Sequence, residues 1–345
     1  MTLALLWDRL RPIGFNAHVA QVLAARDDDD SRPARVIQAE RNAALLDDGA
    51  RQTQARLLPA LPPPVTGDWV LARCDAHGTP WVTEVLPRFT HLQRRDGSGR
   101  PQALVANVDT ALLLIGATGD FNPRRLERFV ALVQPAGVQP VVVLTKIDLA
   151  ADPSALHDTL RARLPRHLPI LLLDARSPQA AQMLAPYLGA GQTLVLLGSS
   201  GAGKSTLTNS LLGGAVQSTG AVRAGDERGR HTTTARSLFV LPGGGCVIDT
   251  PGLRTLRPDG DLHTLNAGFD DIAALAQQCR FADCRHLSEP GCAVHAAVDS
   301  DRLANYGKLQ REMQRDQMTP LDRRRLLAEW KVRHRAAKQR MAMKH

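Results

Sequence analysis

Between Ala34 and Leu86, short runs of apolar and polar residues alternate and are cut by turn residues. Arg35–Gln38, Ala43–Leu46, Gln52–Leu58, Trp69–Cys74 and Trp81–Leu86 read as strands, broken by Asp-Asp-Gly, Pro-Pro-Pro, Thr-Gly and His-Gly. Strands this short and closely spaced predict a small barrel; on pattern alone an OB-fold and an SH3-like barrel look the same. Arg94–Arg100 is polar and glycine-rich and reads as a linker. Beyond it the rhythm changes to continuous apolar runs, Ala111–Ala117, Val141–Thr145, Ile170–Leu173, Thr193–Leu197 and Cys246–Ile248, as in buried parallel strands. Helical stretches lie between them, with Asn122-Pro123 and Ser177-Pro178 marking two helix starts. Such alternation predicts a doubly wound α/β unit with its ligands at the carboxyl ends of the strands. From about His263 the chain turns helical. Ser300 is a candidate cap for a helix carrying Leu303, Tyr306, Leu309 and Met313 at a 3.6 period. Thr319-Pro320 starts a second, basic helix containing Leu326, Leu327 and Trp330.

Composition adds location to this picture. The 345 residues are 43% apolar and 22% charged, a globular balance in a chain long enough for several domains. The net charge of +9 is concentrated: from Asp301 to His345 there are 13 basic and 5 acidic residues, whereas the rest of the chain is nearly balanced. No apolar run approaches the ~20 residues of a membrane span, and Asp8 and Arg9 interrupt the N-terminus too early for a secretory segment. These features predict a cytoplasmic protein with no membrane partner. Five cysteines, three of them clustered, do not make a disulfide framework; Cys74 and Cys246 lie in strand patterns and are expected in the core. The Asp27–Asp30 run reads as a solvated loop.

The chemistry begins at Gly198-Ser199-Ser200-Gly201-Ala202-Gly203-Lys204-Ser205, a complete phosphate-binding loop between an apolar strand and a helical pattern. Its glycines let backbone N–H groups curl around phosphates at a helix N-terminus. Lys204 would reach the β- and γ-phosphates, and the Ser205 hydroxyl would ligate Mg²⁺. Asp249-Thr-Pro-Gly252 follows another strand, placing a carboxylate for Mg²⁺ and a glycine N–H for the γ-phosphate. Thr145-Lys146-Ile147-Asp148 supplies the base reader: its carboxylate can accept from both N1–H and N2–H₂ of guanine, a donor pair adenine lacks. The stem of Lys146 would lie over the base. Asp174-Ala175, after the next strand, is the natural place for a second base contact through the Ala175 N–H. The nucleotide is therefore expected to be GTP or GDP.

The order of these motifs is unusual. Base reader, phosphate loop and Asp-Thr-Pro-Gly follow one another, whereas ordinary GTPases place the base reader last. A circular permutation keeps the same site, because domain termini often lie close together. Between the loop and Asp249 lies Gly229-Arg-His231-Thr-Thr233-Thr, a candidate switch in which Thr233 would ligate Mg²⁺. Leu253 follows Gly252 where Ras-like enzymes carry the water-orienting Gln, and His231 is the candidate for that task.

Cys279, Cys284, His286 and Cys292 follow as C-x₄-C-x-H-x₅-C. Three thiolates and an imidazole suit a closed, structural Zn²⁺ site; His295 is the less favoured substitute ligand.

The permuted motifs, the preceding barrel and the cysteine–histidine set resemble the family of the bacterial ribosome small-subunit-dependent GTPase A, RsgA or YjeQ. The resemblance covers roughly residues 34 to 310 and includes the strings PARV, TGDWV, NVD and EPGCAV. It implies an N-terminal OB-fold, a central permuted P-loop GTPase domain and a C-terminal helical zinc-binding domain. It further implies GTP hydrolysis in late maturation of the small ribosomal subunit, stimulated by that subunit. By position, Thr145–Asp148 and Gly198–Thr206 match the family's GTP-binding segments, and Cys279, Cys284, His286 and Cys292 its zinc ligands. The expected division is an extension at 1–33, barrel and linker at 34–100, GTPase domain at 101–262, zinc domain at 263–318 and basic helix at 319–345. The small subunit and its rRNA are the expected partners of a monomer. The competing readings are a P-loop metabolic kinase and a zinc-containing nucleic-acid-binding protein with a vestigial nucleotide site. The guanine reader argues against the first, and the intact Lys204, Ser205 and Asp249 against the second.

Overall fold

The computed structural model describes residues 3–26, 30–95, 100–119, 121–214, 236–250, 265–266 and 268–317, with residues 322, 325 and 328. The chain begins with helices α1 (Leu3–Leu10) and α2 (Ala17–Ala24), the second capped by Asn16, whose side chain accepts from Val19 N at 3.3 Å. The stretch expected to be a mere extension is part of the core. Leu10, Ile13, Phe15 and Val19 are buried, and Phe15 meets Trp69 edge-on at 5.4 Å.

Strands β1 (Arg32–Ala39), β2 (Ala43–Asp47), β3 (Gln52–Leu57), β4 (Trp69–Cys74) and β5 (Pro80–Val85) close into a barrel in the order β1-β2-β3-β5-β4. The β3–β5 pairing is parallel and the others antiparallel, which selects the OB-type barrel over the SH3-like one. Small residues such as Ala34, Val36, Ala44, Ala55, Val70 and Val82 fill its interior. Cys74 departs from expectation: it stands at the fraying end of β4 and is exposed, whereas Cys246 is buried. The presumed linker also differs. Strands β6 (His91–Arg95) and β7 (Pro101–Ala106) pair antiparallel, because Leu92, Leu104 and Val105 are buried on either side of the polar stretch.

A six-stranded sheet follows, built of β8 (Thr110–Gly116), β9 (Gln139–Thr145), β10 (Ile170–Leu172), β11 (Thr193–Gly198), β12 (Ser237–Val240) and β13 (Cys246–Asp249), in the order β10-β9-β8-β11-β13-β12. All pairs are parallel except β12–β13. Its strands are apolar throughout because both faces are covered: Leu113, Val142 and Val195 lie in one core and Leu112, Val143 and Leu194 in another. Helices α3 (Pro123–Val133), α4 (Pro153–Arg163), α5 (Gln179–Leu184) and α6 (Lys204–Leu212) connect the strands. Asn122 precedes α3 without a side-chain capping bond, while Asp152 caps α4 by accepting from Ala155 N at 3.0 Å. The helix expected from Ser177-Pro178 starts one residue later than predicted, at Gln179.

The C-terminal part contains α7 (Asp270–Ala276), α8 (Ala293–Ala297) and α9 (Ser300–Gln317). Ser300 is the first helical residue, not the cap; Asp299 accepts from Arg302 N at 3.0 Å instead. Tyr306, Leu309 and Met313 bury the predicted stripe against Phe269, Ile272 and Val294. Residues 322, 325 and 328 are helical; the rest of the basic tail, including Thr319-Pro320 and Trp330, lies outside the described residues, as does most of the acidic run. No helix among the described residues is long and apolar enough to cross a membrane.

Candidate functional site

The order in which strands are added reverses between the parallel neighbours β8 and β11, and the carboxyl ends of the strands there form the crevice in which open α/β sheets bind ligands. The register brings the separated motifs to one edge: Gly198 pairs with Leu114, Thr145 with Gly116 and Asp249 with Leu196. Gly198 is required by packing, since a Cβ would lie 2.6 Å from Leu114 O. Gly203 is required by conformation: it sits at φ +89° and turns the loop into α6. Ser199, Ser200, Gly201 and Ala202 form the loop between them, and Lys204, Ser205 and Thr206 open the helix. Lys204 Nζ donates to the Gly198 and Ser199 carbonyls at 2.9 and 2.8 Å. The lysine thereby closes the loop on itself.

The base reader is tied directly to this loop. Thr145 is fully buried, and its hydroxyl donates to Ala202 O at 2.8 Å. Lys146 then adopts the left-handed conformation at φ 59°, which swings Ile147 and Asp148 out of the strand into a short helical turn. Asp148 Oδ2 accepts from Arg176 Nη2 at 2.6 Å. The same guanidinium reaches Asp174 Oδ1 through Nε at 3.3 Å, and Asp174 also accepts the Arg176 backbone N–H at 3.0 Å. Asp174 and then Asp148 raise the Arg176 pKa above its ordinary value. Ala175 is buried between them. Arg176 was not foreseen from the sequence.

Asp249, buried at the end of β13, lies beside the loop strand, and Thr250 Oγ1 donates to Leu196 O at 2.6 Å. His231, Thr233 and Gly252 lie outside the described residues.

The second cluster comprises Cys279, Cys284, His286 and Cys292, whose ligand atoms all lie within 4.8 Å of one another. Cys279 Sγ is 3.9 Å from Cys292 Sγ and 3.6 Å from His286 Nδ1, and Cys292 Sγ is 3.5 Å from that nitrogen. A tetrahedral zinc with ordinary bond lengths sets S–S edges of about 3.8 Å and S–N edges of about 3.6 Å. The donor set and its spacing fit that ion. His286 holds the left-handed conformation at φ 60°, and Cys292 doubles as the cap of α8, its sulfur accepting from His295 N at 3.3 Å. His295 thus contributes its backbone. Partial burial opposes the Cys279 thiolate, but the Val294 and Ala293 N–H groups and the neighbouring thiols outweigh it and lower its pKa. Glu289 ties the loop by accepting from the N–H groups of Arg285, Leu287 and Ser288, and its own backbone N–H together with these brings its pKa down to about 2.

Three strings that carried the resemblance meet in a buried seam between barrel and sheet. Arg35 of β1, fully buried, donates to Gly14 O at 3.2 Å, Asn107 O at 2.9 Å and Thr193 Oγ1 at 3.2 Å, and burial lowers its pKa. Gly67 approaches Ala106 so closely that a Cβ would lie 2.1 Å from its carbonyl oxygen. Asp68 accepts two bonds of 2.7 Å from Arg88, and Arg35 lies over the Trp69 ring at 5.1 Å. Asn107 donates to Gly67 O at 3.0 Å, and Asp109, whose pKa burial raises, accepts from Thr193 N at 2.7 Å. The seam fixes the barrel against the amino end of the loop strand.

Comparison with known proteins agrees with this geometry. The model of the RsgA GTPase family matches residues 85–258. The small ribosomal subunit biogenesis GTPase RsgA of Xanthomonas oryzae pv. oryzae (strain PXO99A) is 44% identical over 309 residues, 87% of this chain and 83% of that protein. Its counterpart in Xanthomonas campestris pv. campestris (strain B100) is 43% identical over the same shares. Among solved structures, YjeQ from Thermotoga maritima aligns with a TM-score of 0.60 and 25% identity, over 82% of this chain and 99% of its own. YloQ, described as a circularly permuted GTPase, aligns with a TM-score of 0.57 at 24% identity over 85% of this chain and 99% of its own, a likeness of fold.

Proposed function

The chain belongs to the RsgA GTPase family, and from that premise we propose that it hydrolyses GTP to GDP and phosphate during late maturation of the small ribosomal subunit, stimulated by that subunit. The observation that carries this reading is the bond from Thr145 Oγ1 to Ala202 O, which holds the guanine reader beside the phosphate loop although their sequence order is inverted. Backbone N–H groups of residues 199–204 receive the phosphates, and Lys204 exchanges the Gly198 and Ser199 carbonyls for β- and γ-phosphate oxygens. Asp148 accepts from the guanine edge, with Lys146 and Ile147 framing the base and Ala175 N–H supplying a further contact beside Asp174. Ser205, Thr233 and Asp249 would hold Mg²⁺. When bound, that ion would supply positive charge to the phosphates. Thr206 extends the loop's contacts at the start of α6, Gly252 offers its N–H to the γ-phosphate, and His231 orients the attacking water.

Cys279, Cys284, His286 and Cys292 would hold one structural Zn²⁺, four protein ligands suiting a closed site. The partner surface includes a cleft of about 510 Å³ on the barrel, where Arg32, Arg51 and Arg73 outnumber Asp30 and Asp48 and leave a net positive lining for rRNA phosphates. We place the protein in the cytoplasm, acting as a monomer. The test of the site is Asp148→Asn: its amide offers an N–H where the carboxylate accepted, so preference moves from guanine to xanthine nucleotides. Unchanged preference for GDP over xanthosine diphosphate in equilibrium binding would refute the site.

A further inference from the structure

We propose that Arg176 competes with the guanine base for Asp148 and moves wholly onto Asp174 when the nucleotide is seated. The inference rests on Asp148 being the guanine acceptor and adds how its affinity is set. The chemistry of the competition is direct, because the N1–C2–N2 edge of guanine is itself a guanidine unit. Arg176 therefore presents to Asp148 the same fork of N–H donors that the base would present. Arg176 Nη2, at 2.6 Å from Asp148 Oδ2, already draws on one of the two oxygens that the base edge needs. Arginine and guanine therefore draw on the same acceptor.

The surroundings give the arginine somewhere to go. Its side chain is 65% exposed, so rotation away from Asp148 disturbs little packing. Asp174 Oδ1 already accepts its Nε at 3.3 Å and its backbone N–H at 3.0 Å, which keeps this carboxylate turned toward it. Displacement by guanine consequently leaves the arginine on the carboxylate it already holds and leaves no charge unpaired. Asp174 holds the released competitor, and Asp148 is the contested site.

The full-length protein and fluorescently labelled GDP test the exchange by equilibrium titration at low and high salt. Arg176→Ala is expected to tighten GDP binding roughly two- to five-fold at low salt, the range of an exposed ion pair, with the gain shrinking as salt screens it. This sign is opposite to that of simple charge attraction, under which losing a cation weakens an anionic ligand. Asp174→Asn, which removes the resting place, is expected to weaken GDP, and adding Arg176→Ala to it should restore more affinity than the same change gives in wild type. Weaker or unchanged binding by Arg176→Ala, or an equal gain in both backgrounds, would overturn the competition. Asp148→Asn separates the premises. If it keeps the preference for GDP over ADP, the base reading itself fails; if it loses that preference while Arg176→Ala is neutral, only the competition fails.

Discussion

Thr145 shows how a single hydroxyl joins two motifs that the sequence keeps apart. It is fully buried and donates to Ala202 O at 2.8 Å, so the valine substitution preserves shape and removes only the donor. Leaving that carbonyl unsatisfied costs about 1 kcal/mol, and because the carbonyl belongs to the phosphate loop, much of the cost should fall on nucleotide binding. Thr145→Val is expected to weaken GDP roughly five-fold in equilibrium titration; wild-type affinity would show that the tie plays no part in shaping the loop. At this scale the sequence was informative wherever chemistry is written as a contiguous string. The phosphate loop, Thr145–Asp148 and the cysteine–histidine set are of that kind. Arg176 escaped because its partner Asp148 lies on a different loop, and Arg35 because a lone arginine in a strand pattern does not announce that Gly14, Asn107 and Thr193 will surround it. Cys74 misled because a strand pattern does not reveal where the buried part of the strand ends.

Between elements, a buried ionic cluster fastens α9 to α3 and α4. Glu127 of α3 is fully buried and accepts from Arg163 Nε at 2.8 Å and Arg302 Nη1 at 3.0 Å, with Asn305 donating to its other oxygen. Arg302 also reaches Asp271 at 2.7 Å and lies over the Phe269 ring at 4.8 Å, so the helical zinc-type region and the α/β sheet share one charge network. Removing one member of a buried pair typically costs about 3–5 kcal/mol. Arg163 keeps Asp301 and Arg302 keeps Asp271, so Glu127→Gln should fall at the low end, about 3 kcal/mol, in urea denaturation followed by helicity. A loss below about 1 kcal/mol would mean that the apolar stripe of α9 alone holds the two parts together. The strands of barrel and sheet were legible because their apolar period is local. The β6–β7 hairpin and the two N-terminal helices were not, since their burial comes from distant neighbours such as Trp69. The same holds for helix starts: Asp299, one residue before the expected Ser300, makes the capping bond.

For the whole molecule, inverted motif order and sheet topology describe the same permutation. The strand order β10-β9-β8-β11-β13-β12 brings base reader, loop and Asp249 to neighbouring strand ends, so only the connections have changed. Those new connections send the chain from Asp249 toward the zinc-type cluster and α9, and beyond them into the tail where the excess charge lies. Because the clamp residues Asp301, Arg302 and Asn305 lie well before it, truncation after Met318 leaves the clamp on α3 whole. Such a chain is expected to bind small subunits more weakly and with a flatter salt dependence, yet to bind GDP as the full chain does; lost GDP binding would make the tail part of the fold. One assay tests the nucleotide site and the small subunit together. Phosphate release from GTP and from ATP is measured with and without purified small ribosomal subunits. The structure and family predict slow GTP turnover alone, a marked rise with subunits and no ATP turnover in either case. Preference for ATP, or GTP turnover indifferent to subunits, would contradict the account.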